Sequence, residues 1–427
     1  MVDLKIPEDG ATLDRLVDER RRRAFKRAKA SPFFAGKLTH VNADRVTDPE
    51  EWAKIPILDK AQLRALSPQE FADDFCLPAP GAISEFWRSG GSTGKPLFYP
   101  RTREDIEWGR ISMMRVYDCA GFAPGDVTHM ALPLGIHPAG HMMARAGSAL
   151  GLAMVWAGGG NTTPSPMQIE LMQTFRPRGF VGMASYGLQL ANLARGAGVD
   201  LSALGIDRLL CTAEPLSPSK RAKLTETFGA TVRDCLGMTE VHMLGGEDST
   251  GEGFRLWSDL CHAEVLDADT LLPVAEGEEG LLVVTALVSN AVTPFLRWNT
   301  GDVVTLRRGE AVGSRYDRFP YLKHAHRTAG FVKVRGINIG FTDFEDVMFR
   351  EPTVADFRVD IAFDGAKDQL DLIVELAGGA DAAATDAIAE TVKRRFEVMP
   401  RISLAPAGTI ARAFEGTVKP SRFADKR

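Results

Sequence analysis

The chain has few cysteines and none of the close cysteine pairs that bind metals or form redox centres. Its five cysteines are scattered, odd in number and without a C-x-x-C pair. They are Cys76, Cys119, Cys211, Cys235 and Cys261. We therefore expect no disulfide framework, and a reducing compartment suits such a chain better.

A strong excess of charge and a long apolar run are also missing. Acidic residues outnumber basic ones by 56 to 51, whereas a general nucleic-acid binder needs a concentrated basic surface. The one basic run, ERRRR at 19–23, is expected to be a solvated helix face. The apolar stretch at 147–157 is interrupted by glycines and too short to span a bilayer, and the opening MVDLKIPEDG lacks the apolar core of a secretory signal. These features predict a cytoplasmic protein without nucleic-acid or membrane partners.

The 427 residues are 44% hydrophobic and 25% charged, which is typical of a globular protein of two or three domains. From residue 80 to 300, apolar segments of strand length alternate with helical patterns. This alternation predicts α/β layers with buried, largely parallel strands. Residues 254–306 have shorter strands between turn signals, which indicates an antiparallel sheet or a barrel.

The pattern changes again after residue 327. Segments 357–363 and 370–376 alternate like half-buried strands, 384–398 has a helical pattern, and 401–407 is another strand candidate. These elements predict a small α+β unit of about a hundred residues.

The segment FWRSGGSTGKPLFYP at 86–100 contains a glycine- and hydroxyl-rich turn between two apolar strands. Glycine lets backbone N–H groups approach an anion, and hydroxyls and an ammonium add donors, so the turn can bind phosphate. It is not a P-loop, because Ser89 replaces the first glycine and Pro96 replaces the Ser or Thr that would hold magnesium. Taken alone, a flexible polar turn is an equal alternative.

Three further segments place polar residues at strand ends. These are CTAEPLSPSKR at 211–221, RDCLGMTEV at 233–241 and RWNTGDVV at 297–304. In isolation, Glu240 in the second could be an exposed acid at a helix start, and Asp302 in the third could be an ordinary turn residue.

With these segments, the sequence resembles the adenylate-forming enzymes, the superfamily of acyl-CoA synthetases and adenylation domains, and within it the phenylacetate–CoA ligase branch. SGGSTGKP is similar to that family's phosphate loop, TAEP to its GAEP segment, and DCLGMTE to D-x-YG-x-TE. FLRWNTGD resembles P-x-x-RY-x-TGD, and KVRGINIGFTDFED at 333–346 resembles the tail run K-x-RG-x-N-x-x-P-x-x-x-E. The five motifs occur in the family's order over almost the whole chain.

The resemblance implies the residues that bind the nucleotide, and their chemistry agrees. Glu240 can hold Mg²⁺, Thr239 can donate to the α-phosphate, and Asp302 can accept the ribose hydroxyls. Both Thr239 and Glu240 are assigned to catalysis. The implied ATP and AMP contacts are Ser89, Gly90, Gly91, Ser92, Thr93, Gly94, Lys95, Ala213, Glu214, Pro215, Asp234, Cys235, Leu236, Gly237, Met238, Thr239, Asp302 and Arg327.

The resemblance also implies a catalytic lysine near the end of the chain, which contacts both carboxylate and phosphate. An ungapped alignment of VKPSRFADKR with a family ending GKAKRVIDKR puts Lys419 at that position, whereas alignment on 415–416 puts Thr417 there. We favour Lys419, because threonine cannot supply the charge; an ordinary exposed terminal lysine is the alternative. Lys333, Arg335 and Gly336 are implied to line the route of coenzyme A.

The sequence departs from the family pattern at several positions. Ala329 and Gly330 stand where relatives have two hinge acids, so the hinge is expected to depend on the permissive backbone of Gly330. Leu236 replaces the tyrosine that lies against adenine, and Thr342 replaces the tail proline. Some relatives carry a structural zinc before the hinge; here only His324 and His326 occupy that place, and a tetrahedral site needs four ligands. A structural zinc is therefore not expected.

The candidates for the pocket of the carboxylic acid are Ile136, His137, Tyr186 and Met238. This mixture of apolar, aromatic and titratable groups suits a flat aromatic acid. Tyr186 and Met238 could equally be core residues, and His137 a structural histidine.

Together these features predict an ATP- and Mg²⁺-dependent carboxylate–CoA ligase for an aromatic or arylacetic acid. The expected fold is a large α/β domain of layered sheets with a distorted barrel, residues 1–326, followed by a small mobile α+β domain, residues 327–427. The expected partners are the acid, ATP and coenzyme A, with a homodimer left open. Two alternatives remain: transfer of the acyl group to an amine, hydroxyl or carrier protein, and a non-catalytic nucleotide-binding relative.

Overall fold

The computed structural model describes residues 3–79, 81–89, 97–309, 311–328, 330–363, 365, 367–378, 380, 383–414 and 421–427. The helices are α1 (Gly10–Lys29), α2 (Pro32–Ala35), α3 (Pro49–Ala53), α4 (Lys60–Arg64), α5 (Pro68–Glu70), α6 (Arg103–Cys119), α7 (Pro138–Leu150), α8 (Ser165–Phe175), α9 (Ala184–Gly196), α10 (Pro218–Phe228), α11 (Phe341–Arg350), α12 (Ala384–Phe396) and α13 (Thr409–Phe414). Short 3₁₀ turns lie at Gly36–Leu38, Ala43–Arg45 and Leu201–Leu204, and a π-turn at Phe71–Phe75.

The strands are β1 (Ile83–Arg88), β2 (Phe98–Thr102), β3 (Val127–Met130), β4 (Ala153–Trp156), β5 (Gly179–Gly182), β6 (Arg208–Cys211), β7 (Thr231–Met238), β8 (His242–Glu247), β9 (Phe254–Leu256), β10 (Cys261–Leu266), β11 (Glu279–Ala286), β12 (Trp298–Arg307), β13 (Tyr321–Arg327), β14 (Phe331–Val334), β15 (Ile337–Gly340), β16 (Val354–Phe363), β17 (Asp368–Leu376), β18 (Arg401–Leu404) and β19 (Phe423–Asp425).

The chain divides into two compact units, each assembled from separate segments. The first unit comprises Met1–Gly125, Leu134–Ala153 and Arg233–Thr328; the second comprises Asp126–Pro133, Met154–Val232 and Ala329–Arg427. One boundary, after Thr328, lies two residues beyond the domain boundary expected from the sequence. The division into domains 1–326 and 327–427 stays a prediction.

In the first unit, antiparallel strands lie in the order β10-β11-β12-β13-β9-β8-β7. The expectation of antiparallel strands over 254–306 is confirmed. Their apolar side chains form a core with the N-terminal helices, in which Phe34, Phe75 and Phe295 are fully buried and in ring contact. Burial of each such side chain stabilises the fold by roughly 1.5–3 kcal/mol.

The basic run at 19–23 differs from its expectation. Arg21 is buried against the Trp52 ring, and Arg20 lies over Trp108 and donates to the carbonyl oxygen of Asp259. Of the four arginines of this run, Arg22 and Arg23 are exposed. Arginine stems and guanidinium planes cover apolar and aromatic surface readily, so half of this run packs within the unit instead of facing solvent.

In the second unit, β6, β5, β3 and β4 lie side by side in that order, with β3–β5 and β5–β6 parallel. Strands β3, β5 and β6 are almost wholly buried, as parallel strands are, whereas β4 at the edge is partly exposed. The C-terminal part forms a four-stranded sheet in the order β18-β17-β16-β19, with β16 and β17 antiparallel. The predicted fold class, a large α/β part and a smaller α+β part, is confirmed.

Candidate active site

The glycine-rich turn expected to bind phosphate follows β1 and precedes β2. Residues 90–96 lie outside the described residues, so the phosphate-binding roles of Gly90, Gly91, Ser92, Thr93, Gly94 and Lys95 stay predictions. At the base of the turn, the Ser89 amide donates to the Leu97 carbonyl (2.9 Å), and the Leu97 amide donates to the Ser89 hydroxyl (3.2 Å). The two strands are therefore closed against each other immediately before the turn.

Glu240 lies in the turn between β7 and β8 and is 5% exposed, so it is neither exposed nor at a helix start. The Tyr99 hydroxyl donates to Glu240 Oε1 (3.0 Å), and Lys60 Nζ lies 3.8 Å from the same oxygen. The buried Arg101 guanidinium donates to the carbonyl oxygens of Thr239 (2.7 Å) and Glu240 (3.0 Å). This turn is thus held through its backbone by Arg101 and through its carboxylate by Tyr99.

The electrostatics around Glu240 favour binding of a cation. Burial, followed by the Glu240 charge, raises the pKa of Tyr99, so the phenol remains a neutral donor at ordinary pH. Tyr99 therefore orients the carboxylate without neutralising it, and Lys60 supplies a positive charge at some distance.

The donor set fits Mg²⁺ bound together with phosphate. Among the described residues, no group of three or more His, Cys, Asp or Glu side chains is placed to hold a metal ion. Mg²⁺ is commonly bound by one or two carboxylates, with substrate phosphates and water completing its octahedron. Glu240 can provide such a carboxylate.

Asp302 and Arg327 are brought together by the pairing of β12 with β13, where they are register partners. Arg327 Nε forms an ion pair with Asp302 Oδ1 (2.8 Å), and His324 Nε2 lies 3.1 Å from the same atom. The Asp302 amide donates to the Thr300 hydroxyl (3.0 Å), which fixes the turn. The two residues expected to contact ribose are therefore neighbours, and His324 contacts Asp302.

The DCLGM segment of β7 shows why its glycine is required. A Cβ on Gly237 would lie 2.4 Å from Met243 Sδ and 3.0 Å from the His242 carbonyl oxygen of the paired strand. Leu236 and Met238 pack against the core of the first unit, and Cys235 is buried. For Met238 this contact supports the alternative of a core residue.

Ala213, Glu214 and Pro215 follow β6 in the second unit, and Ala213 has a left-handed φ of +72°. The backbone amide and hydroxyl of Ser185 donate to the two oxygens of Glu214 at 2.5 and 2.6 Å. Burial raises the pKa of Glu214, but Lys220 and Ser185 stabilise the carboxylate more, and the pKa lies below its usual value. Glu214 therefore holds the start of α9, and its carboxylate is already engaged within the second unit.

The four pocket candidates differ in their surroundings. In the first unit, Ile136 is 55% exposed and His137 is the N-cap residue of α7, with its imidazole half-buried. Met238 packs against the core of the first unit. In the second unit, the Tyr186 hydroxyl forms a 2.9 Å hydrogen bond with the Ser165 hydroxyl, and its ring is buried, as in a core residue.

The candidates for coenzyme A lie in the hairpin of β14 and β15. Arg335 and Gly336 form its turn, with φ of +51° and +86°. The Arg335 amide and Nε donate to the Asp368 side chain and carbonyl (3.1 and 2.8 Å), so this guanidinium already contacts its own unit. Lys333 is exposed. Ala329, Thr417 and Lys419 lie outside the described residues.

Sequence reasoning did not find Lys60, Tyr99 or Arg101. The Asp59–Gln62 capping box predicts only that a helix begins at Lys60. Tyr99 and Arg101 look like ordinary alternating strand residues in the sequence, and their contacts with the 239–240 turn are long-range.

The sequence and the fold are similar to those of known proteins. Residues 14–287 match the family described as AMP-binding enzyme. The phenylacetate–coenzyme A ligase of Thermus thermophilus is 30% identical over 77% of this chain and 73% of its own length. The Pseudomonas putida enzyme of the same name is 26% identical over 99% and 96% of the two chains.

Among solved structures, a 2-hydroxyisobutyryl-CoA ligase in complex with an acyl-AMP has a TM-score of 0.85 and 23% identity, over 99% of this chain and 91% of its own. An anthranilate CoA ligase in complex with anthranoyl-AMP has a TM-score of 0.56 and 17% identity, over 76% and 63% of the two chains. These likenesses concern the fold. No helix within the described part of the chain has the length and apolarity needed to cross a membrane.

Proposed function

Because the chain belongs to the AMP-binding enzyme family, we propose that it is an AMP-forming ligase that joins an aromatic or arylacetic acid to coenzyme A. The family resemblance deduced from the five motifs is confirmed. The observation that carries the proposal is the buried Glu240 carboxylate, held by Tyr99 on one oxygen and accompanied by Lys60.

The reaction has two balanced steps. A carboxylate oxygen of the acid attacks the α-phosphorus of ATP, and the bond to the leaving pyrophosphate breaks. The thiol sulfur of coenzyme A then attacks the acyl carbon, the bond to AMP breaks, and the thiol proton goes to solvent. The first step brings two anions together, so the site must supply positive charge and fixed hydrogen-bond donors.

The residues of the first unit suit the first step. When bound, Mg²⁺ supplies the charge that offsets the phosphates. Glu240 provides its carboxylate ligand, Lys60 adds a cation, and Thr239 offers its hydroxyl to the α-phosphate. Since Arg327 and His324 both contact Asp302 Oδ1, Oδ2 is the atom proposed to accept the ribose hydroxyls.

The remaining assignments are proposals that rest on the family pattern. Lys419 is proposed to contact the carboxylate and the α-phosphate, the mobile tail 327–427 is proposed to serve both steps, and Lys333 is proposed to meet coenzyme A. Ile136 and His137 remain the pocket candidates that the structure does not place in a core.

The cytoplasm is the proposed location. All five cysteines are free thiols, as expected in a reducing compartment. A homodimer is also a proposal, which light scattering tests.

The test is ATP–pyrophosphate exchange with a panel of aryl, arylacetic and aliphatic acids, followed by mass spectrometry of products with and without coenzyme A. We expect exchange with an aromatic acid, and an acyl-CoA product only when coenzyme A is present. An acyl product with an amine, hydroxyl or carrier protein instead would contradict the acceptor, and no exchange with any acid would contradict the function.

A further inference from the structure

Lys220, in the first turn of α10, is 1% exposed and lies between two carboxylates of the second unit. Its Nζ is 2.7 Å from Glu345 Oε2 in α11 and 3.7 Å from Glu214 Oε1. A lysine is almost never buried so completely unless it is paired. Lys220 therefore joins the segment after β6 to the C-terminal part of the chain.

The charged contacts continue from Glu345 towards the end of the chain. Glu345 Oε1 lies 3.8 Å from Arg422 Nη1, and Arg422 Nε donates to Asp356 Oδ1 (3.0 Å). Arg422 is buried and lies three residues after Lys419 in the sequence. A row of buried charges thus leads from Glu214 to the strand that follows Lys419.

Neighbouring residues of α10 contact the same C-terminal part. The amide and hydroxyl of Ser219 donate to Asp346 (3.0 and 2.8 Å), which places a carboxylate at the start of the helix. Lys223 donates to the carbonyl of Val354 and lies over the Phe349 ring. Lys220 differs from Ser219 and Lys223 in that it also contacts Glu214.

If α11 moved away from α10, Lys220 and Arg422 would each still be paired with a carboxylate. If Glu345 moves away, Lys220 keeps Glu214, and Arg422 keeps Asp356. Separation therefore leaves neither cation without a carboxylate, which removes much of the penalty that normally makes a buried ion pair permanent. The arrangement suits a contact that forms and breaks during turnover.

We propose that Lys220 is a positioning residue, which couples the nucleotide segment 212–215 to the docking of the tail and so sets the balance between the two half-reactions. This inference rests on the proposed function, in which the tail serves both steps. Lys220 is shared by Glu214 and Glu345 when the tail is docked and belongs to Glu214 alone when it is not. A nucleotide that shifts residues 212–215 moves Glu214, and this changes how strongly Lys220 is paired with Glu345.

The experiment compares Lys220→Met and Glu345→Gln with the wild type in the full-length protein. Lys393→Met and Glu390→Gln are the matched controls, because this surface pair lies on α12. Amide hydrogen exchange is followed at 219–224 and 344–348 with and without AMP, and both half-reactions are assayed. We expect AMP to change the protection of 344–348 in the wild type and the controls but not in the two variants. The ratio of the half-reaction rates should change about fivefold or more in both variants.

Two results would overturn the proposal. One is an AMP effect on 344–348 that persists in both variants or is missing in the wild type. The other is an equal slowing of both half-reactions, which a purely structural role would produce. If the wild type catalyses neither half-reaction, the proposed function fails, whereas the response of 344–348 to AMP still decides whether Lys220 couples the two segments. If Lys220→Met does not fold, Glu345→Gln alone provides the answer.

Discussion

The carboxylates of Glu240 in the first unit and Glu345 in the second are both largely shielded from water, yet their surroundings differ. The Glu240 carboxylate has a neutral phenol at 3.0 Å and an ammonium at 3.8 Å, and the Arg101 guanidinium bonds the backbone carbonyl of Glu240 and not its carboxylate. Glu345 has the ammonium of Lys220 at 2.7 Å and a guanidinium at 3.8 Å. A carboxylate with little direct compensation is suited to bind a further cation, whereas a compensated one is suited to hold two segments together.

Removal of a cation should therefore lower the free energy of unfolding most at Lys220, where two carboxylates are paired with the same ammonium. Burial lowers the pKa of Lys220, but Glu214 and Glu345 raise it more, and the pKa lies above its usual value. Lys220→Met should leave two carboxylates with one cation fewer and lower the free energy of unfolding by about 3–5 kcal/mol. Urea unfolding measures this, with Lys393→Met as the exposed control. A loss as small as that of the control would show that the comparison is wrong.

Removal of a carboxylate should slow ATP–pyrophosphate exchange most at Glu240. Glu240→Gln keeps the shape but weakens a ligand for Mg²⁺, so ATP–pyrophosphate exchange should fall by about 10²–10³-fold. Excess Mg²⁺ should restore part of the rate. If Mg²⁺ has no influence on the defect and ATP binds normally, Glu240 does not hold the metal.

Lys60 should matter less, because its side chain is partly exposed and its contact is longer. Lys60→Met should slow exchange about fivefold, as expected for roughly 1 kcal/mol from a partly exposed charge. Lys54→Met, which removes a surface partner of Glu51, is the control. Equal exchange rates in Lys60→Met and Lys54→Met would show that Lys60 does not contribute to the active site.

At Lys223 the expected effect is on the pH dependence of stability, because burial lowers the pKa to about 8 from an ordinary value of 10.5. The unfolded chain binds the proton more tightly, so between pH 8 and 10.5 this lysine makes stability rise with pH, and below pH 8 it makes no further change. In Lys223→Met, the melting temperature should lack the contribution that rises between pH 8 and 10.5. Identical pH profiles for the variant and the wild type above pH 8 would show that Lys223 is not desolvated.

Much of the fold was accessible to prediction because its signals are local. The helical pattern at 384–398 corresponds to α12 (Ala384–Phe396). The alternating segments 357–363 and 370–376 are the paired β16 and β17. Periodicity and turn residues determine such elements with little help from distant parts of the chain.

The site was only partly accessible. Motif order pointed to Glu240, Asp302 and Arg327, and the structure gives each a defined set of neighbours. It also places Tyr186 and Met238 among core contacts and Arg335 on Asp368. The residue type alone does not reveal whether a side chain already forms a hydrogen bond or packs against a residue that is distant in the sequence.

The sequence by itself determined the family, the order of the motifs and the type of the elements with a clear periodicity, because these depend on residues that are adjacent or regularly spaced. Only the tertiary structure decided that Lys60 and Tyr99 meet Glu240, and that Lys220 lies between Glu214 and Glu345. The physical reason is distance along the chain: 141 residues separate Tyr99 from Glu240. The charges that surround a buried carboxylate depend on chain folding over such separations, and local sequence does not encode them.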